Sequence, residues 1–209
     1  GNACVIYGNT ESSIEIYNSI FSRNTATNNV GVVYGASNSN VKIYNSIFTH
    51  NTATNGGAVY SDGNVTVDDS TFEDNAATSN GGGVIGNNLA ISNSEFINNK
   101  ATLGGAVYGI SNLNVNNSNF TENSATNAGG AIVWNNNAII MGSNFINNTA
   151  PKGGAIQGQN NPNDKGRVIK SNFTENSATN AGGAINIENP VNLTVIDSIF
   201  NDNSAPTGG

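Results

Sequence analysis

Asn117-Ser118-Asn119-Phe120-Thr121-Glu122-Asn123-Ser124-Ala125-Thr126-Asn127-Ala128-Gly129-Gly130-Ala131-Ile132 decides how this chain folds, because the rest of the chain is variations on it. Its phenylalanine has counterparts at Phe21, Phe48, Phe72, Phe96, Phe145, Phe173 and Phe200, so the spacings run 27, 24, 24, 24, 25, 28 and 27 residues. Each Phe keeps the same company: a Ser two before it, an Asn three after it and an Ala five after it, as in Ser118, Asn123 and Ala125. A fixed period of this size is the mark of stacked structural units.

Ahead of each Phe the residues alternate apolar and polar, as in Ile14-x-Ile16, Val41-x-Ile43, Val65-x-Val67, Leu89-x-Ile91 and Leu113-x-Val115. That is the period-two signal of a half-buried strand. After Asn-x-Ala, from the second coil on, comes a glycine pair, followed in most coils by a small and a β-branched residue, as in Gly56-Gly57-Ala58-Val59 and Gly104-Gly105-Ala106-Val107. Glycine opens backbone angles closed to other residues and marks a sharp bend. Three short strands between bends in one period predict one coil of a right-handed parallel β-helix. About eight coils make a single all-β domain over 1–209.

Stacking sets like on like at roughly 4.8 Å. It predicts an inward Phe column (Phe48, Phe72, Phe96, Phe120 and Phe145) and an inward Asn column (Asn51, Asn75, Asn99, Asn123 and Asn148) whose amides donate from coil to coil. Longer coils place loops near Gly35 to Asn40, Gln159 to Gly166 and Glu188 to Pro190, with Pro162 and Pro190 inside them.

Composition agrees with a thin core rebuilt at every turn: 36% of residues are hydrophobic, 10% are charged, and 43 of the 209 are Asn. A net charge of −7 with seven scattered basic residues excludes a nucleic-acid partner, which needs clustered Lys and Arg. No stretch has the apolar length of a membrane span, so no membrane insertion is expected in this segment. Cys4 is the single cysteine, so no internal disulfide can form.

The linked FxxN and GGA(I/V/L) tetrapeptides resemble the repeats of chlamydial polymorphic outer membrane proteins. Phrases such as Asn117 to Ile132 also resemble the Asn/Thr-rich adhesin-like surface proteins of methanogenic archaea. The resemblance covers essentially the whole chain and implies an extracellular, cell-surface β-helix, as a stalk or passenger. A chain that opens and closes inside glycine segments, without a polar cap, is expected to be a segment of a longer surface protein.

Many parallel β-helices act on polysaccharides, which requires convergent carboxylates or a basic residue beside a metal. Asp68, Asp69, Glu73 and Asp74 are the densest acidic group, and their phase relative to Phe72 turns them outward or into a bend. His50, the only histidine, occupies a position held in other coils by Arg23, Asp74, Asn98, Glu122, Asn147, Glu175 and Asp202. A slot that accepts every polar type is a solvent slot. The glycine pairs lack the Lys and helix of a phosphate loop. No catalytic residue, metal or cofactor is expected.

Outward positions do distinguish the coils. Tyr17 and Tyr44 share the slot four before Phe, and Ile20 and Ile47 the slot one before it. The next three coils place Asp68, Ser92 and Asn116, then Thr71, Glu95 and Asn119, in those slots. An exposed apolar patch confined to the first two coils is expected. A second aromatic line runs through Tyr7, Tyr34, Tyr60 and Tyr108, with Trp134 one residue further along, and Tyr34 and Tyr60 join Tyr17, Ile20, Tyr44 and Ile47 as candidate contact residues. Sequons make the outward Asn116, Asn119 and Asn172 glycosylation candidates.

The expected function is a non-catalytic adhesin-like stalk or binding surface, with a protein or cell-surface glycan as partner. The alternatives are an extracellular filament subunit stacking end to end and a carbohydrate-active β-helix enzyme; a further expected partner is the chain itself, end to end or laterally.

Overall fold

The computed structural model describes residues 4–27, 31–159, 165–188 and 192–208. Pro162 and Pro190, and most of the loops predicted around them, lie outside the described residues. The chain winds as a parallel β-helix with three sheets. Eight strands carrying the eight Phe residues form one sheet, from Ile20–Ser22 to Ile199–Asn201. Six strands carrying the repeat Ala form the second, from Thr52–Ala53 to Ser177–Ala181. The third and longest sheet holds the aliphatic pairs and the segments after the glycines. In the middle coils its two arms fuse into single strands, Val59–Asp68, Val84–Ser92 and Val107–Asn116.

Register is set by identity. Phe48 pairs with Phe72, Phe72 with Phe96 and Phe96 with Phe120, every pair parallel. The rings stack with centroids 4.7–4.9 Å apart and planes within 6°. Phe48 through Phe173 are fully buried, each worth about 1.5–3 kcal/mol on area grounds. Around them pack Val65, Val67, Leu89, Ile91 and Val115, with the aliphatics that follow the glycines, such as Val59 and Val107.

Two polar ladders run through the interior. Each inner Asn satisfies its whole side-chain amide. Asn99 donates from Nδ2 to the Phe72 carbonyl at 2.8 Å and to Asn123 Oδ1 at 3.0 Å. Its own Oδ1 accepts the backbone N–H and Nδ2 of Asn75, both at 3.1 Å. The repeat Ser forms the second ladder. Ser94 Oγ accepts the Ser70 N–H at 3.2 Å and donates to the Ser92 carbonyl at 2.6 Å. Burying so many polar groups is tolerable because their hydrogen bonds are made.

The coil turns on left-handed residues. Three before Phe, Asn18, Asn45, Asp69, Asn93, Asn117, Gly142, Lys170 and Asp197 have φ of 45–60°. Two after Phe, the slot of His50 and Glu122 has φ of 51–56° in all eight coils. The solvent slot inferred from sequence is therefore also a strained corner, and Asn and Asp tolerate that conformation best. This accounts for part of the Asn content. The first glycine of each pair is the third corner, with φ of 56–65°. The second is required for another reason: a Cβ on Gly105 would meet the carbonyl oxygen of Gly130 in the next coil.

Candidate functional site

With the Phe, Asn and Ser columns repeating through the interior, most differences between coils lie on the outside. The richest line of differences follows the corner where the long sheet meets the Phe sheet. Tyr17 and Tyr44 stack there with centroids 5.1 Å apart and planes at 11°. Across the corner Ile20 pairs with Ile47, and they are 71% and 42% exposed. Two residues upstream, Glu15 Oε1 holds Lys42 Nζ at 2.9 Å, and Glu15 Oε2 accepts the Tyr17 hydroxyl at 3.1 Å. These bonds lower the Glu15 pKa, Lys42 before Tyr17 in size. They also raise that of Lys42.

The middle of the edge is polar. Asp68 Oδ1 accepts the Ser92 hydroxyl at 2.7 Å and the Asn93 amide at 2.9 Å, so it is committed to its neighbours. Beyond it the apolar character returns, which corrects the expectation that only the first two coils carry it. Asn116 pairs with Met141 and Met141 with Ile169, so the Tyr17 column continues as Met141 and Ile169. Met141 is 40% exposed, and nearby Ile139 is 41% exposed.

The second aromatic line divides. Tyr7 is half exposed and Tyr60 half-buried, but Tyr34 is only 8% exposed and is not part of an open patch. Tyr7, Tyr34 and Tyr60 follow one another with centroids 5.5 Å apart, tilted by 46–47°. Tyr34 donates to Asp62 Oδ2 at 2.6 Å and Tyr60 to Asp62 Oδ1 at 2.7 Å, so one carboxylate clamps two phenols. Burial first, and then the Asp62 bond, pushes both phenol pKa values up. Cys4 packs against this cluster, its thiol pKa raised by burial. Trp134 leaves the line altogether. It is 1% exposed within the core, in contact range of the positions where Gly158 and Gly166 lack a Cβ. Sequence reasoning missed it, although one residue off a period-two line already implies the opposite face.

The chemical candidates are placed as follows. Thr49 Oγ1 lies 2.7 Å from His50 Nδ1, and His50 Nε2 lies 3.4 Å from Asp74 Oδ2. This hydroxyl–imidazole–carboxylate line runs along an open corner. The neighbouring backbone N–H groups of His50 and Asp74 are bound to the carbonyls of Glu73 and Ile97. Among the described residues no three His, Cys, Asp or Glu side chains are grouped to hold a metal. A shallow groove of about 400 Å³ crosses the long sheet, lined by Asn64, Asn88, Asn112, Thr66, Ala90 and Ile139 among others. Its Asn residues hydrogen-bond in series, Asn88 to Asn64 at 3.0 Å and Asn112 to Asn88 at 2.8 Å.

Of the glycosylation candidates, Asn119 and Asn172 are exposed. Asn116 is half-buried, with its Oδ1 enclosed. Asn172 spends an amide hydrogen on Asn144 at 2.9 Å, and Asn144 one on Asn119 Oδ1 at 2.9 Å, so Asn119 enters that ladder as an acceptor.

Stacked Phe, Asn and Ser columns with glycine-pair corners define the class: a repeat-built parallel β-helix. The profile of the Chlamydia polymorphic membrane protein repeat matches residues 45–62, 117–133, 142–159 and 170–188. Each match begins at the left-handed residue three before Phe and runs past the glycine pair, so it covers the Phe, Asn and glycine-pair part of a coil. Four segments of the chain are thus similar to that repeat. No curated protein and no solved structure matches the chain. No helix among the described residues is long and apolar enough to cross a membrane.

Proposed function

We propose that the chain is a rigid, non-catalytic part of an extracellular surface adhesin, and that the edge between the long sheet and the Phe sheet makes its contacts. The observation that carries this reading is the contrast between inside and outside. The Phe and Asn columns run through every coil, while the edge changes from aromatic to acidic to aliphatic. Similarity of four segments to a membrane protein repeat supports a surface location. Exposed apolar side chains on a stiff rod are suited to a protein or glycan surface.

The test is attachment of beads coated with the chain to immobilised glycans, to cell surfaces and to beads bearing the same chain. A Tyr17→Ser, Tyr44→Ser, Met141→Ser variant should lose attachment while its melting temperature stays within a few degrees. Attachment unchanged by all three substitutions would overturn the edge as the contact surface.

A further inference from the structure

We propose that Tyr34, Tyr60 and Asp62 form a one-electron oxidation site, which oxidants in solvent reach through Tyr7. The site lies on the other arm of the long sheet from the contact edge and does not depend on that edge making contacts. Tyr7, Tyr34 and Tyr60 hold one register position in three successive coils, and Ile85 takes that position in the fourth. The line of rings therefore has an outer and an inner end. Tyr7 at the outer end is 52% exposed, and the middle ring, Tyr34, is 8% exposed. Each ring centroid lies 5.5 Å from the next, close enough for an electron to pass directly between neighbours.

Loss of an electron turns a phenol into a strong acid, so near neutral pH its oxidation goes forward only as its proton finds an acceptor. The Tyr7 hydroxyl has no hydrogen-bond partner among the described residues and must give its proton to water. Tyr34 and Tyr60 already donate to a base, Tyr34 to Asp62 Oδ2 at 2.6 Å and Tyr60 to Asp62 Oδ1 at 2.7 Å. A positioned base of this kind speeds proton transfer by about 10²–10⁴-fold. The step balances within the cluster. The oxidant takes one electron through Tyr7, the O–H bond of Tyr34 or Tyr60 breaks, the proton passes to an Asp62 oxygen, and a neutral phenoxyl radical remains on the ring. The other phenol–carboxylate contact, Tyr17 to Glu15, is longer at 3.1 Å and its ring is 52% exposed, so a radical there is open to a second molecule. Burial of Tyr34 withholds its radical from such coupling. The cluster therefore acts as a sink that draws oxidation off the exposed ring. Its substrate class is the small outer-sphere one-electron oxidant, which needs no binding pocket.

The test is stopped-flow oxidation by hexachloroiridate(IV) at pH 7 in a Cys4→Ser, Tyr17→Phe, Tyr44→Phe parent. Those substitutions remove the thiol that packs against the cluster and the two phenols of the edge. Loss of the iridium absorbance gives the rate, and electron paramagnetic resonance of freeze-quenched samples reports the tyrosyl radical. Asp62→Asn keeps an acceptor oxygen but loses the base, and it should slow the reaction at least about tenfold. Tyr34→Phe, Tyr60→Phe should remove the fast phase. Tyr7→Phe should slow that phase and leave the radical signal of the parent in place. Thermal melts at the same pH confirm that each variant is folded; if Asp62→Asn is not, the double Phe variant decides alone. An Asp62→Asn rate equal to that of the parent, or a fast phase that survives Tyr34→Phe, Tyr60→Phe, would overturn the inference. A Tyr7→Phe rate equal to that of the parent would overturn Tyr7 as the way in.

Discussion

The side-chain amide of Asn99 donates to Oδ1 of Asn123 at 3.0 Å, and Asn123 passes the same bond to Asn148 at 3.0 Å. Each inner Asn also reaches back to a Phe carbonyl one coil earlier, so a single residue ties three coils together. Asn123→Ala should therefore destabilise by about 1–3 kcal/mol through the groups left unpaired. Asn123→Asp should be worse near neutral pH, because a carboxylate cannot donate to Phe96 or Asn148. Phe120→Ala, with rings on both sides, should open a cavity costing about 3–5 kcal/mol. Denaturant unfolding of the three variants checks the order.

Corner geometry gives a different set of expectations. Glu122 has a φ of 56°, so Glu122→Gly should be neutral or stabilising by up to about 1 kcal/mol, whereas Glu122→Ile should cost about 1–2 kcal/mol. Gly129→Ala should cost more than Glu122→Ile, because it adds to the strain of a φ of 62° a Cβ that would meet the carbonyl oxygen of Ile132. Gly130→Ala should be comparably costly without any strain in φ, because its Cβ would meet the backbone oxygen of Gly154 in the next coil and no flexible side chain can yield. Thermal melts of the four variants compare the two kinds of glycine directly.

Alkaline pH should expose the phenol clamp. Tyr34 and Tyr60 have pKa values raised above the ordinary phenol value, by burial and then by the Asp62 bond. A raised folded-state pKa contributes stability that is complete below about pH 10, the unfolded value, and is lost as pH rises beyond it. Unfolding free energy measured from pH 8 to 11.5 should fall at the alkaline end, and less steeply in Tyr34→Phe, Tyr60→Phe. An identical slope in that double variant would show the two phenols to be uncoupled from folding.

Sequons differ in readiness for modification. Asn119 enters its surface ladder as an acceptor, Asn172 gives an amide hydrogen to Asn144, and Asn116 has its oxygen enclosed. In a host that glycosylates secreted chains, peptide mass mapping should find Asn119 occupied most, then Asn172, with Asn116 least.

The fold was legible because its requirements repeat: Phe, Asn and Ser recur in every coil and the glycine pair in all but the first, and stacking turns recurrence into register. The corner conformation at His50 was not legible, since many polar residue types occupy that slot and the strain resides in φ. Tyr34 reads as an outward aromatic by phase, but its burial depends on Asp62 and Tyr60, which the bent long sheet brings against it. The second apolar stretch was available in the sequence. Met141 and Ile169 fall in the Tyr17 slot, and comparison carried only through the fifth coil stops one short of Met141.

Hydroxyl-radical footprinting of the chain while it mediates attachment tests most directly whether contact is made by the edge. The account predicts that Tyr17, Tyr44 and Met141, outward along one edge, become protected on attachment. Tyr7, half exposed on a different part of the long sheet, should label as before. Protection of Tyr7 with unchanged labelling of Tyr17, Tyr44 and Met141 would contradict it.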